Sequence, residues 1–119
     1  MSHPIEGQVV LIATAKASVT GDRLFSLLEE AQDSLEPDLD SYRRRYELAY
    51  EAENVCCFFV PTDHWKAIGD PLGLERREYE ALKRAHEEQL KRFGKRESRR
   101  EEFETALDVR SAAVIGTGN

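Results

Sequence analysis

The hydrophobic period changes at Tyr46, and that change most constrains the fold. Leu35, Leu39, Tyr42 and Tyr46 recur at helical spacing. From Tyr46 onward, Tyr46, Leu48 and Tyr50 alternate with Glu47, Ala49 and Glu51, which is a strand pattern. Ala52-Glu53-Asn54 then reads as a turn and VCCFFV as a second strand, together a β-hairpin. A chain with this hairpin inside a helical pattern is α+β and mainly helical. Four to five helices are expected around a small antiparallel β-hairpin near residues 46–60.

The helices follow from apolar spacing and caps. Residues 4–17, PIEGQVVLIATAKA, are read as a helix, with Ser2 as a cap, Pro4 in the first turn and Glu6 near its positive end. Ile5, Val9, Ile12 and Ala13 would share its inner face. The rival is a strand, QVVLIAT, because the run is β-branched. Thr20 caps a second helix whose inner face is Leu24, Leu27, Leu28, Ala31 and Leu35. Pro37 ends this helix or starts the next. A short helix runs from Thr62-Asp63-His64-Trp65 to Gly69, and Asp70-Pro71 begins a turn. The longest helix spans Glu75 to Phe93, with an inner stripe of Tyr79, Leu82, His86, Leu90 and Phe93 and a break or continuation at Gly94. Ser98 either caps the next helix or faces water. Phe103, Ala106, Leu107 and Val109–Arg110 form the last helix, and SAAVIGTGN is its packed end or an edge strand.

At 119 residues the chain suits one domain, 1–119, with its own core. No apolar run approaches the roughly 18 residues of a membrane helix, and MSHPIEGQ does not read as a signal peptide. A cytoplasmic location is expected, with no membrane contact. The net charge of −6 disfavours nucleic acid as a general partner. Twelve arginines stand against five lysines, a balance seen in salt-adapted or high-GC organisms.

The residues that resemble chemistry have plainer readings. Cys56 and Cys57 are adjacent, so in a strand they face opposite ways and converge on no metal. One of them is expected to be buried. His64 is expected at the surface beside a cap formed by Thr62 or Asp63. His86 sits within an apolar stripe and needs a partner for its ring, with Tyr42, Tyr46 and Tyr50 the nearest by type. The run RAHEEQ fails the HEXXH metal motif because position 90 is leucine. No phosphate loop, nucleotide fingerprint or nucleophile elbow is present, so no catalytic residue, metal or cofactor is expected.

One charge feature remains. Lys91, Arg92, Lys95, Arg96, Arg99 and Arg100 place six cations in ten residues, a candidate anion or partner patch. Glu29, Glu30, Asp33, Glu36, Asp38 and Asp40 place six anions in twelve. The two stretches would relieve each other's repulsion if apposed, within the chain or across a homodimer. A homodimer is the favoured assembly, because a small helical domain with exposed aromatics tends to self-associate.

Three stretches, HPIEGQVVLIATAKASV, FFVPTDHW and RAHEEQLKRFGKRESRREEFETALDVR, resemble a family of short uncharacterised proteins from halophilic archaea, a domain of unknown function. The resemblance spans nearly the whole chain. It implies a cytoplasmic archaeal protein and no assigned activity. The preferred functional reading is a non-enzymatic interaction or regulatory module. One alternative is a DNA-binding regulator using residues 63–84 and the basic turn 91–100. The other is a small enzyme using His64 or His86.

Overall fold

The computed structural model describes residues 3–117. The elements run α1 (Gly7–Ala15), α2 (Gly21–Leu35), a 3-10 turn (Glu36–Asp38), α3 (Leu39–Arg45), β1 (Glu47–Ala52), β2 (Val55–Val60), α4 (His64–Gly69), α5 (Arg76–Arg96), α6 (Arg100–Leu107) and β3 (Ser111–Gly116). This is the expected mainly helical α+β arrangement. The hairpin is β1–β2, and the tail adds a third antiparallel strand in the order β1-β2-β3.

β2 is central, and all six of its residues are buried. That explains a six-residue apolar run without polar alternation: neighbours flank both edges and both faces meet other elements. Phe58 packs against Tyr42 of α3, and Phe59 meets Phe103 of α6 edge-on at 6.0 Å between centroids. Cys56 and Cys57 are free thiols that alternate along this strand. Both are buried, where only one was expected.

β1 departs from strict alternation. Leu48 pairs with Phe58 and Tyr50 with Cys57, so Ala49 is an extra residue, a β-bulge. The bulge turns Ala49 inward and leaves Leu48 42% exposed. Together with Glu47 and Glu51 it blunts the outer edge of the sheet against pairing with another chain.

The helices follow the sequence more closely. Thr20 caps α2 by accepting from the Arg23 N–H at 3.1 Å, and the five predicted inner-face residues are all buried. Pro37 lies in the 3-10 turn between α2 and α3. α1 is a helix, not a strand, but it begins later than expected. Glu6 is its N-cap residue and Pro4 lies outside it, while Ser2 falls outside the described residues. Ile5, Val9 and Ala13 are buried, whereas Ile12 is 40% exposed.

α5 is N-terminated by a capping box between Glu75 and Glu78 and runs straight through Gly94. Gly94 is buried because α6 crosses there: a Cβ would stand 2.6 Å from a Phe103 ring carbon. Ser98, at φ 57°, makes the tight turn between the helices and is exposed; Arg99 holds the N-cap position of α6. α6 ends at Leu107, so Val109 and Arg110 belong to the turn into β3. Among the described residues, no helix is long and apolar enough to cross a membrane.

Candidate functional site

β3 is an edge strand whose outer backbone groups are met by side chains. Trp65 Nε1 donates to the Ala112 carbonyl at 3.0 Å. The Val114 N–H donates to His86 Nδ1 at 2.9 Å. The Gln32 amide takes both the Val114 carbonyl and the Gly116 N–H. Three helices thus supply what a fourth strand would.

This arrangement corrects two expectations for the histidines. His86 is fully buried on the α5 stripe, as its spacing implies, but its partner is the β3 backbone rather than a tyrosine. The tyrosine hydroxyl of Tyr42 instead shares a hydrogen bond with His64 Nε2. His64 is the first residue of α4 and is buried, not at the surface: the helix turns its imidazole under Tyr42 and Tyr46. Trp65 lies between the two imidazoles, 4.6 Å from the His64 ring and 4.3 Å from the His86 ring.

Burial pushes the His64 pKa down to about 4, with the Arg45 charge adding to the effect and Asp63 opposing it. Burial also holds His86 well below its ordinary value, helped by the neighbouring His64 and His3. Both rings are therefore neutral at neutral pH. Since His86 Nδ1 accepts, its proton sits on Nε2, and that atom has no hydrogen-bond partner among the described residues. His64 Nδ1 is buried in the same condition. Burial likewise raises the Tyr42 hydroxyl, with Tyr46 adding to it.

Above Trp65 the surface opens into a cleft of about 220 Å³ between α4 and α5. Its charged lining comprises Asp63, Lys66, Arg76, Glu80 and Lys83, with Thr62 and Tyr79 adding hydroxyls. Arg76, Tyr79, Glu80 and Lys83 are spaced i, i+3, i+4, i+7, one face of α5. The cleft coincides with the 63–84 region singled out from sequence. Of the residues that line it from α5, the sequence reading names only Tyr79, and that for the core stripe. The i, i+3, i+4, i+7 set of two cations, a carboxylate and a tyrosine was the legible signal. Neither His64 nor His86 lines this cleft.

Most of the basic turn is engaged within the chain. Arg96 grips Glu6 with two hydrogen bonds of 2.6 and 2.7 Å, and Arg92 bonds the same carboxylate at 2.9 Å. The Arg96 hydrogen bonds hold Glu6 below its ordinary carboxylate value, against the opposing effect of burial. Gln89, buried on α5, accepts from the Glu6 N–H at 2.8 Å and so satisfies one amide at the start of α1. Lys91 pairs with Glu88, Arg99 with Glu102 and Arg100 with Glu104. Among the described residues, Lys95 alone of the six has no carboxylate within ion-pair distance. None of these partners belongs to the acidic stretch 29–40, so the two stretches do not neutralise each other within the chain.

Cys56 and Cys57 differ in surroundings. Cys56 Sγ accepts from Arg43 at 3.1 Å and donates to Glu51 at 3.3 Å. Burial raises its pKa, and the hydrogen bond to Glu51 raises it further. Cys57 is raised by burial in the sheet, with Cys56 adding to it. Neither thiol has the electropositive, open setting of a reactive cysteine. No group of three or more His, Cys, Asp or Glu residues suited to a metal occurs among the described residues.

The sequence profile of a family described as Domain of unknown function (DUF8048) matches residues 3–117. The chain belongs to that family. No curated protein and no solved structure matches it. The match spans every element from α1 to β3.

Proposed function

We propose that this chain is a non-enzymatic cytoplasmic interaction module that works as a homodimer through the outer face of α1. The observation that carries this reading is the composition of α1. Its sequence, GQVVLIATA, has no charged residue and is polar only at Gln8 and Thr14. Val9 and Ala13 face the core, while Leu11 is 71% exposed and Ile12 points outward beside it. A helix this apolar is ordinarily covered on all sides.

A second copy of the chain is the occupant this face suits. Two chains of net charge −6 repel, and a two-fold contact brings the same surface of both copies together. A charge-free helix is the surface that tolerates this. Gly7 and Ala15 are exposed one turn to either side of Leu11. A Cβ at Gly7 would meet no atom within 4 Å, so a partner helix can lie flat across this face. Exposed aromatics contribute less than expected, since Phe25 alone among the described aromatics is widely exposed. The Arg-over-Lys balance fits the salt-adapted archaeal source that the reading assumes.

The mass in solution tests it, by light scattering or sedimentation on the wild type and on Leu11→Glu. A wild-type dimer that becomes monomeric in Leu11→Glu supports the interface. An apolar contact should also persist in high salt. A monomeric wild type overturns the dimer. A dimer lost in salt, or in a variant with Arg96, Arg99 and Arg100 changed to Glu, moves the interface to the acidic and basic stretches.

A further inference from the structure

We infer that the cleft between α4 and α5 is a binding site for a small zwitterion of the α-amino-acid type. The argument rests on its charges. Lys66 is committed to Asp70 by an ion pair at 3.1 Å on the rim. Four charged groups remain around the cleft: Arg76 and Lys83, Asp63 and Glu80. None of them stands within ion-pair distance of an opposite charge among the described residues. Other charges at this end of α5 are paired, as with Arg77 to Glu75 and Glu78 to Arg23.

A simple anion entering here would meet Arg76 and Lys83 favourably and Asp63 and Glu80 unfavourably. A simple cation would meet the reverse. A ligand carrying an ammonium and a carboxylate a few ångströms apart neutralises both sets at once. The volume, about 220 Å³, suits one such molecule. It lies below the range of roughly 300–1,000 Å³ typical of larger ligands.

The walls are held in place. Gly69 ends α4 so close to α5 that a Cβ there would lie 3.1 Å from Tyr79 Cβ. Trp65 is fixed beneath the floor by its bond to Ala112. Tyr79 supplies an aromatic wall for an apolar side chain, and Thr62 and Tyr79 supply hydroxyls for the carboxylate. Asp63 and Glu80 face the ammonium, which favours a free amino acid over a quaternary solute that has no N–H to donate.

Trp65 is the only tryptophan in the chain, so intrinsic fluorescence reads this floor directly. The experiment titrates the purified protein with the twenty free amino acids singly, using acetate and ethylammonium as single-charge controls and calorimetry as a second readout. The expected result is saturable binding of one or a few amino acids at up to millimolar concentration, with neither control competing. Arg76→Ala and Glu80→Gln, both at exposed positions, should each weaken that binding by about tenfold or more, with unchanged circular dichroism. Three results overturn the site. One is no saturable signal by either method with any amino acid. Another is acetate binding as tightly as the amino acids. The third is binding that survives both substitutions. Because neither substitution touches α1, the outcome is independent of the dimer.

Discussion

Gln32 on α2 stands beside Val114 on β3 as a surrogate strand. Its Nε2 donates to the Val114 carbonyl at 2.7 Å, and its Oε1 accepts from the Gly116 N–H at 3.0 Å. One side-chain amide thus offers the same donor and acceptor that a neighbouring backbone would. Gln32→Leu leaves the buried Val114 carbonyl without a partner, at about 1–3 kcal/mol, and takes the protein acceptor from the half-buried Gly116 N–H, at about 1 kcal/mol. The expected loss is about 2–4 kcal/mol, read by urea denaturation. Gln32→Glu should lose more at neutral pH, because a buried carboxylate oxygen would oppose the Val114 carbonyl, and should recover partly in acid. A Gln32→Leu protein as stable as the wild type would show that the edge does not depend on this amide.

The buried histidines make stability pH-dependent. The His64 pKa lies at about 4, and that of His86 well below the ordinary 6.5. Between the folded and unfolded values the unfolded chain binds more protons, so acid favours unfolding. The stabilisation is complete above about pH 6.5 and is lost as pH falls toward 4. Each histidine contributes a slope of up to about 1.4 kcal/mol per pH unit in that window. Glu6, whose pKa is lowered from 4.5, acts mainly below it. Denaturation curves at about pH 7 and pH 5 check the slope, and His64→Phe should make it shallower. A flat profile would contradict the neutral, buried state of both rings.

Gly94→Ala should destabilise despite improving helix propensity. Alanine is favoured over glycine within a helix by about 1 kcal/mol. Here its Cβ would lie 2.6 Å from the Phe103 ring and 3.2 Å from the Arg100 Cα. Forcing α6 away costs about 1–3 kcal/mol, and Phe103 is a fully buried anchor of the core. Thermal unfolding decides the sign, and a raised Tm would mean that the crossing yields easily.

The two cysteines should respond unequally to serine. Cys57→Ser places a hydroxyl in the sheet interior in place of an apolar contact and should cost about 1–3 kcal/mol. Cys56→Ser can keep both the Arg43 donor and the Glu51 acceptor, so its cost should stay under about 1 kcal/mol. Equal losses in parallel urea curves would mean that the Cys56 contacts count for little.

Local pattern determined much of this protein. The Thr20 cap, the Leu24-to-Leu35 face, the Tyr79-to-Phe93 stripe, the hairpin at 46–60 and the α4 start at His64 were legible because each depends on residues a few positions apart. What tertiary structure alone decided depends on residues far apart in the chain. The partner of His86 is Val114, 28 positions on, and the partner of Arg96 is Glu6, 90 positions back. Spacing carries no information about such meetings. The burial of both cysteines required a third strand on the far side of β2. The exposure of Leu48 required a bulge that periodicity cannot register. The cleft required α4 and α5 to be brought together at Gly69, which places Asp63 and Glu80 around the same opening as Arg76 and Lys83. Sequence sets which face of each element is apolar. Only packing settles which apolar faces find cover, and it leaves the outer side of α1 without any.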